Sequence, residues 1–476
     1  MKKLLTALIT LLFAVQIFAP LASTSAFARK NKKEQNEEAL HTQYLNLQWW
    51  EKYNDPILTG YLQELYDKNH DLKIAALKVM EGEKMVKVSL ANELPQITFD
   101  GNLGRVMRSS DQHFGNMVIP SYAQYGYQFP FTATYEVDIW GQNRIRTKSV
   151  EKQLDIIKQA ERASYISLTS AFASTYFNLV KTDKLLEIQQ QIVDIQTDIV
   201  QKTQKKFDIG LCSVNEVIAE EKMLTTQKEL LNNLEHTRTI LENQLKVYLS
   251  DDSKTIERTD CDSLAIMQNL PLKMDGTVIE KRPDYIQSED NIKKIGYDVR
   301  VARKEFLPKF IIYGQIGLNA YHWDKLFNNY SQLANVGIMP SFDLFSGGRK
   351  MAILKLQKYR YEEARHEYEK AVLTGLQEVN DSTAQLKTDL KNYDESVERY
   401  NLEHRRYVLM DHKNKIGAAS DLDLLYNKQT ELMTKREEVS NKINCLISTI
   451  SLYKATGGQD LFSIKEPEQQ ETKENI

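Results

Sequence analysis

The sequence predicts a mainly α fold with a small β part, built from tandem-duplicated long α-helical hairpins with four strands per chain. Three observations predict it. A set of motifs occurs twice in the same order, at an offset that stays between 205 and 213 residues. Residues 144–209 contain neither Gly nor Pro, so nothing obvious breaks a helix there. Residues 125–138 alternate apolar and polar side chains, the period of a half-buried strand.

At the N-terminus, Lys2 and Lys3 precede an apolar stretch over residues 4–19, and Ala26-Phe27-Ala28 supplies small residues where a signal peptidase reads. Residues 1–28 are therefore expected to be a secretory signal peptide and are excluded from fold reasoning. No later segment approaches the ~20 apolar residues of a transmembrane helix. The basic run Arg29-Lys30-Asn31-Lys32-Lys33 reads as a solvated tail. No cysteine lies near the cleavage site, so lipid attachment there is not expected. Cys212, Cys261 and Cys445 are odd in number and lack CxxC spacing, which favours neither a disulfide framework nor a metal site. A net charge of −3 argues against a nucleic-acid partner, which favours a basic footprint.

The duplication organises the rest. Asn69-His70-Asp71-Leu72 precedes Asn92-Glu93-Leu94-Pro95 much as Arg282-Pro283-Asp284-Tyr285 precedes Glu305-Phe306-Leu307-Pro308. Asp138-Ile139-Trp140-Gly141-Gln142-Asn143-Arg144 matches Asp343-Leu344-Phe345-Ser346-Gly347-Gly348-Arg349, and Lys206-Phe207-Asp208-Ile209-Gly210 matches Lys413-Asn414-Lys415-Ile416-Gly417. The first repeat is placed at 29–270 and the second at 271–458, with a polar tail at 459–476. Each reads as helix, two strands, very long helix, turn, long helix.

The long hairpins are expected at 144–250 and 349–456. A helix over 144–209 would be a rod of roughly 100 Å. Its counterpart has one interior glycine, Gly375, which costs about 1 kcal/mol relative to Ala and need not break it. Gly210 and Gly417 are natural helix stops, and Ser213 and Ser420 or Asp421 are caps for the returning helices. Leu154, Ile157, Leu168, Phe172 and Leu179 recur at helical spacing and mark a buried stripe. Helices this long need partners along their length, so coiled-coil association follows.

Strands are expected at 96–106, 125–138, 309–319 and 335–345. Tyr125, Tyr127, Phe129, Phe131, Ala133, Tyr135 and Val137 take one face of the second strand, with Gln128, Thr132, Thr134 and Glu136 on the other. A soluble sheet covering a core would also alternate. These strands, however, reach the ~9–11 residues of a tilted membrane strand with an aromatic outer face, and the connections 104–124 and 320–334 are long. Four strands cannot close a barrel and an open edge is not tolerated in lipid. Three chains would supply twelve strands and remove every edge.

The duplicated pattern resembles the TolC-like outer-membrane efflux protein family over essentially all of the chain after residue 28. The opening Trp49-Trp50-Glu51-Lys52-Tyr53-Asn54-Asp55-Pro56-Ile57-Leu58 is similar to the branch that serves resistance–nodulation–division pumps. So are Tyr135-Glu136-Val137-Asp138-Ile139-Trp140-Gly141, Arg282-Pro283-Asp284 and Leu452-Tyr453-Lys454-Ala455-Thr456-Gly457-Gly458. The resemblance implies a homotrimer with a twelve-stranded barrel in outer-membrane lipid and a periplasmic α-barrel. It implies a passive exit duct for small molecules such as drugs, gated by a periplasmic adaptor and an inner-membrane pump. Hairpin turns that meet the adaptor correspond to Gly210, Leu211 and Ser213, and to Gly417, Ala418, Ala419 and Ser420. Acidic residues six positions after the turn glycine, which the family places near the tunnel constriction, are Glu216 and Asp423. A second acidic position, three further on, is Ala219 and Tyr426 here, a departure from the pattern, as is the missing lipid-attachment cysteine.

Three copies of Asp423 around a narrow axis would favour cations, whereas a plain helix-face acid is the bland reading. Catalysis finds no motif: the eight histidines are scattered, and no HExxH, GxSxG or Walker loop occurs. No enzyme activity, cofactor or metal is expected. A protein-secretion channel and a soluble periplasmic coiled-coil scaffold are the alternatives to a drug-efflux duct.

Overall fold

The computed structural model describes residues 47–108, 113–114, 117–118, 122–267, 270–271 and 273–464. The expected signal peptide at 1–28, the basic run after it and the tail from residue 465 on lie outside the described residues, as does part of the expected 104–124 connection. Among the described residues no helix is long and apolar enough to cross a membrane.

The helices are α1 Leu47–Glu51, α2 Pro56–Lys68, α3 His70–Ala91, α4 Gln142–Asp208, α5 Val214–Leu249, α6 Pro283–Lys304, α7 Arg349–Lys415 and α8 Asp421–Ala455. Helices α4 and α7 each run 67 residues. Strands are β1 Gln96–Phe99, β2 Asn102–Arg108, β3 His113–Phe114, β4 Met117–Val118, β5 Tyr122–Glu136, β6 Lys309–Ala320 and β7 Gln332–Ser341. The chain forms two compact units. One takes the described residues before 74, with 162–282 and those from 375 on; the other takes 74–161 and 283–374.

The second unit holds an antiparallel sheet in the order β1/β2–β5–β6–β7, while β3 and β4 form a separate two-residue ribbon. The halves of the duplication meet where β5 pairs β6, from Tyr127↔Ala320 to Glu136↔Ile311. The expected first strand is interrupted at Asp100 and Gly101 although the register on either side is continuous. Opposite the gap is Pro130, which accepts from the Asp100 amide (3.2 Å) but has no N–H to return.

The other boundaries move for similar reasons. Strand β5 ends at Glu136, not 138, because the Asp138 carboxylate turns back to accept the amides of Asn143 (3.2 Å) and Arg144 (3.0 Å). That cap also starts α4 at Gln142, two residues before the expected 144. Strand β7 stops at Ser341, not 345, since its partner Lys309 is the first strand residue after Pro308.

Register fixes what each face carries. One face presents Ile97, Phe99 and Leu103, the β5 aromatics, Phe310, Ile312, Ile316 and Leu318, and Val336 and Ile338. It is exposed in the single chain: Ile97 and Ile338 are 67% and Val336 81% accessible. The other face carries Thr98, Gln128, Thr132, Gln315 and Asn335, with Ile311, Tyr313 and Met339 toward the helix-joined end. Three of its polar groups form a row across strands: Asn335 donates to Gln315 (3.1 Å), which donates to Thr132 (3.3 Å).

The first unit is held by an aromatic core. Trp49 stacks on Tyr453 (5.2 Å, 4°), Trp50 meets the same ring edge-on (5.3 Å) and Tyr53 leans on Phe177 (5.3 Å). Both tryptophans, Tyr53 and Phe177 are fully buried. Asp55 caps α2 and also accepts the Thr259 hydroxyl (2.7 Å), while Lys52 pairs with Asp460 (2.7 Å). Arg282 donates to Ala455 O and to Glu378, both at 2.6 Å.

Gly317 lies so close to β5 that a Cβ would sit 2.3 Å from Phe129 O and 2.5 Å from Pro130 Cα. Both are backbone atoms and cannot swing aside. Gly317→Ala is expected to break the β5–β6 pairing, lowering folded yield and exposing the strands to protease. Gly126→Ala, where nothing lies within 4 Å, is expected to fold like the parent. Equal protease resistance of the two variants would refute this placement of the two halves.

Candidate functional site: the two hairpin turns

Both turns of the first unit use one local solution. Gly210 has φ +75° and Gly417 φ +74°, the left-handed region that an L side chain rarely adopts. The Gly210 amide donates to Phe207 O and the Leu211 amide to Lys206 O, both at 2.8 Å. Their counterparts are Gly417 to Asn414 O (2.9 Å) and Ala418 to Lys413 O (2.8 Å). Each pair satisfies carbonyls that the ending helix leaves orphaned.

The returning helices are capped alike. Glu216 Oε1 accepts the Ser213 amide (3.0 Å) and hydroxyl (3.1 Å). Asp423 Oδ2 accepts the Ser420 amide (3.2 Å) and hydroxyl (2.7 Å), and the Asp423 amide donates to Ser420 Oγ (3.1 Å). These are capping boxes, with the carboxylate three residues into the helix satisfying the cap residue's own amide. The structure thus gives Glu216 and Asp423 a local structural task, and both side chains stay exposed. The Ser420 hydroxyl and amide hold the Asp423 carboxyl below its ordinary range. Around the turns Ile209 (69%), Leu211 (71%) and Ile416 (70%) are bare to solvent. Ala418 is exposed and Ala419 half-buried.

The hairpins are fastened by polar groups that sequence reasoning missed. Lys202 Nζ on α4 meets Asp421 Oδ2 on α8 at 2.6 Å, and Asn414 donates to the other oxygen (3.1 Å). Both contacts depress the Asp421 carboxyl, with Lys202 foremost. Further along, Tyr426 Oη donates to Glu220 Oε1 (2.6 Å), Gln196 to Glu220 Oε2 (2.6 Å) and Gln429 to Gln196 Oε1 (2.7 Å). Burial, with the neighbouring carboxylates adding, pushes the Tyr426 hydroxyl up, so it remains a donor. Next, Arg436 donates to Gln189 Oε1 (2.8 Å) and Gln189 to Gln227 Oε1 (2.9 Å). Gln189 and Gln196 are fully buried.

The missed signal is a period of seven: Gln189, Gln196 and Thr203 on α4, Glu220 and Gln227 on α5, Gln429 and Arg436 on α8. That is the seam of a coiled coil written in polar residues. The departure at Tyr426 also gains a reason, since the phenol occupies the expected acidic position to reach Glu220 on the other hairpin. Burial raises the Cys261 thiol to about 11 and the Cys445 thiol to about 12, so neither forms a thiolate at neutral pH.

Long duplicated hairpins, an apolar-faced open sheet and paired capped turns define a class, the outer-membrane channels built from helical hairpins and shared strands. Residues 61–250 and 276–458 match the outer membrane efflux protein family, and the chain belongs to that family. It is 23% identical to the probable efflux pump outer membrane protein TtgC of Pseudomonas putida, over 86% of this chain and 84% of that one. It is 24% identical to the cation efflux system protein CusC of Escherichia coli, over 87% and 89%. Its fold superimposes on the outer membrane channel CmeC of Campylobacter jejuni with a TM-score of 0.80 at 21% identity, covering 87% of this chain and 88% of the other. The chain is an outer-membrane efflux protein and not an enzyme.

Asp423 has a folded-state pKa below its unfolded value. Its stabilisation is therefore complete above the ordinary carboxylate range and is lost only as pH falls through the depressed value. Hydrogen exchange of the 416–423 amides, corrected for intrinsic rates, should be flat from pH 7 to 5 and rise in stronger acid. Ser420→Ala should cost about 1 kcal/mol of local protection at neutral pH. Unchanged protection in Ser420→Ala would contradict the capping role.

Proposed function

We propose that the chain is one protomer of a trimeric outer-membrane channel, the exit duct of a tripartite efflux pump that passes small molecules outward. The observation that carries this reading is the sheet β1/β2–β5–β6–β7, four strands wide, with an apolar face and, among the described residues, an unpaired edge on either side. In lipid each unpaired backbone group costs several kcal/mol, so such a sheet needs further strands to close it. Three copies give twelve strands, with β7 of one chain beside β1/β2 of the next. The apolar face then meets lipid, and the row of Thr132, Gln315 and Asn335 lines a wet lumen. The relatives' names all speak of efflux, variously of toluene, antibiotics or cations, and this supports efflux over protein secretion. Outer-membrane family membership sets the soluble scaffold aside.

The hairpin turns are the adaptor contacts in this reading, because they combine rigid caps with bare apolar tips at Ile209, Leu211 and Ile416. Opening moves these helix ends apart and must break the Lys202–Asp421 pair and the Tyr426–Glu220 hydrogen bond. Both are polar and partly solvated, so an arriving adaptor hairpin can replace them at little cost. Three Asp423 carboxylates near the axis give the closed end a preference for cations.

A photocrosslinker at Ser420 in living cells is expected to capture a periplasmic adaptor, whose own pump then identifies the cargo; capture of an outer-surface protein alone would overturn the orientation. In planar bilayers Tyr426→Phe should raise single-channel conductance, and Asp423→Ala should weaken cation preference without closing the pore. If neither variant differs from the parent, the constriction lies elsewhere.

A further inference from the structure

The apolar face of the sheet carries one charge among its described residues. Arg105 pairs with Tyr125 in register, between Leu103↔Tyr127 and Met107↔Ala123, on the face of Phe99, Phe131 and Ile316. The strand residues paired across that face include no carboxylate to neutralise it. The side chain is exposed, and its guanidinium carbon lies 5.3 Å from the Tyr125 ring centroid. Aromatic groups continue beside it: Tyr125 stacks with Tyr127 (6.2 Å, 17°), and Tyr127 meets Trp323 edge-on (5.4 Å, 67°). Tyr125 and Trp323 are both more than half exposed, at 51% and 56%.

Height along the barrel decides what such a group is for. The helix-joined end of β5 is Glu136, and Tyr125 lies eleven residues up the strand. At ~3.3 Å per residue and a tilt of ~40°, this is a rise of about 28 Å, just beyond the ~25 Å apolar band of an outer-membrane barrel. A cation at mid-membrane is strongly unfavourable, and that penalty nearly vanishes at the interface. Arg105 therefore stands at the far boundary of the band, where amphipathic aromatics also gather.

We propose that Arg105, framed by Tyr125, Tyr127 and Trp323, binds the phosphate of an anionic glycolipid head group in the outer leaflet. The assignment rests on the barrel reading above and adds a lipid partner to it. The Arg105 guanidinium lies over the Tyr125 ring, and its fork of N–H groups matches two phosphate oxygens. Leu103 and Met107 on either side suit the first acyl carbons of a lipid and not a free anion in water. The site would fix the barrel's height at the outer boundary.

The test uses the full-length chain, folded and trimeric in detergent, titrated with lipid A bearing its phosphates, with dephosphorylated lipid A and with inorganic phosphate. The parent should bind the phosphorylated lipid about fivefold more tightly than the dephosphorylated one, the worth of one cation at an anionic membrane surface. Arg105→Gln should abolish that preference and Arg105→Lys should retain part of it. Full preference in Arg105→Gln, or equal competition by inorganic phosphate, would overturn the proposal. A nitroxide at Phe131→Cys in vesicles separates the two readings. A label unreachable by lipid-soluble oxygen rejects the barrel itself, whereas a lipid-exposed label with an unaltered Arg105→Gln rejects only the head-group site.

Discussion

A backbone amide at the edge of a sheet must find a partner, and in hydrocarbon no water supplies one. That constraint governs the second unit. The strands β5 and β6 satisfy each other over ten register pairs, from Tyr127↔Ala320 to Glu136↔Ile311. Among the described residues the edges of β7 and of β1/β2 have no such partner. An apolar outer face makes the omission untenable alone, since lipid welcomes Ile97 and Val336 but not a bare carbonyl. Closure by identical copies answers both demands, because a rotation that closes brings each chain's β7 edge to the β1/β2 edge of the next.

Duplication supplies the elements, and divergence distributes tasks between them. The two turns share backbone geometry so closely that Gly210 and Gly417 differ by one degree in φ. Their surroundings differ. Leu211 and Cys212 stand where the second turn has Ala418 and Ala419, so the first tip is bulkier and the second smoother. A glutamate closes one capping box and an aspartate the other. The shared parts are those that the chain reversal demands, and the altered parts are those that it leaves free.

Where local chemistry decides, the sequence is legible. Helix stops at Gly210 and Gly417 and caps at Ser213 and Ser420 follow from residues within one turn of the event. The capping pattern at Ser213/Glu216 and Ser420/Asp423 is equally local. Both carboxylates remain exposed while they cap. What sequence did not disclose depends on which group each backbone amide reaches. The gap at Asp100 comes from Pro130 on another strand, and the start of α4 from a carboxylate that leaves its own strand. The signatures that carried the resemblance at Trp49–Trp50, Arg282 and Tyr453 meet in the first unit's core, so they report packing and not transport.

Packing differs between the middle of the hairpins and their turns. Away from them, α4 and α8 bury Phe172, Phe177, Ile443, Leu446 and Ile450, and separating those surfaces would expose apolar area at ~25 cal/mol per Å². Approaching the turns, the buried apolar residues thin to Ile199, Val217 and Leu422. Amides, an ion pair and a phenol–carboxylate bond take over. Water can replace the partly solvated Lys202–Asp421 and Tyr426–Glu220 contacts, whereas the amides of Gln189 and Gln196 are fully buried. The helices are thus joined by apolar packing away from the turns and by polar contacts beside them. The gradient is written in the residues themselves, as heptad positions that run from Leu241, Ile443 and Ile450 to Gln227 and Gln429.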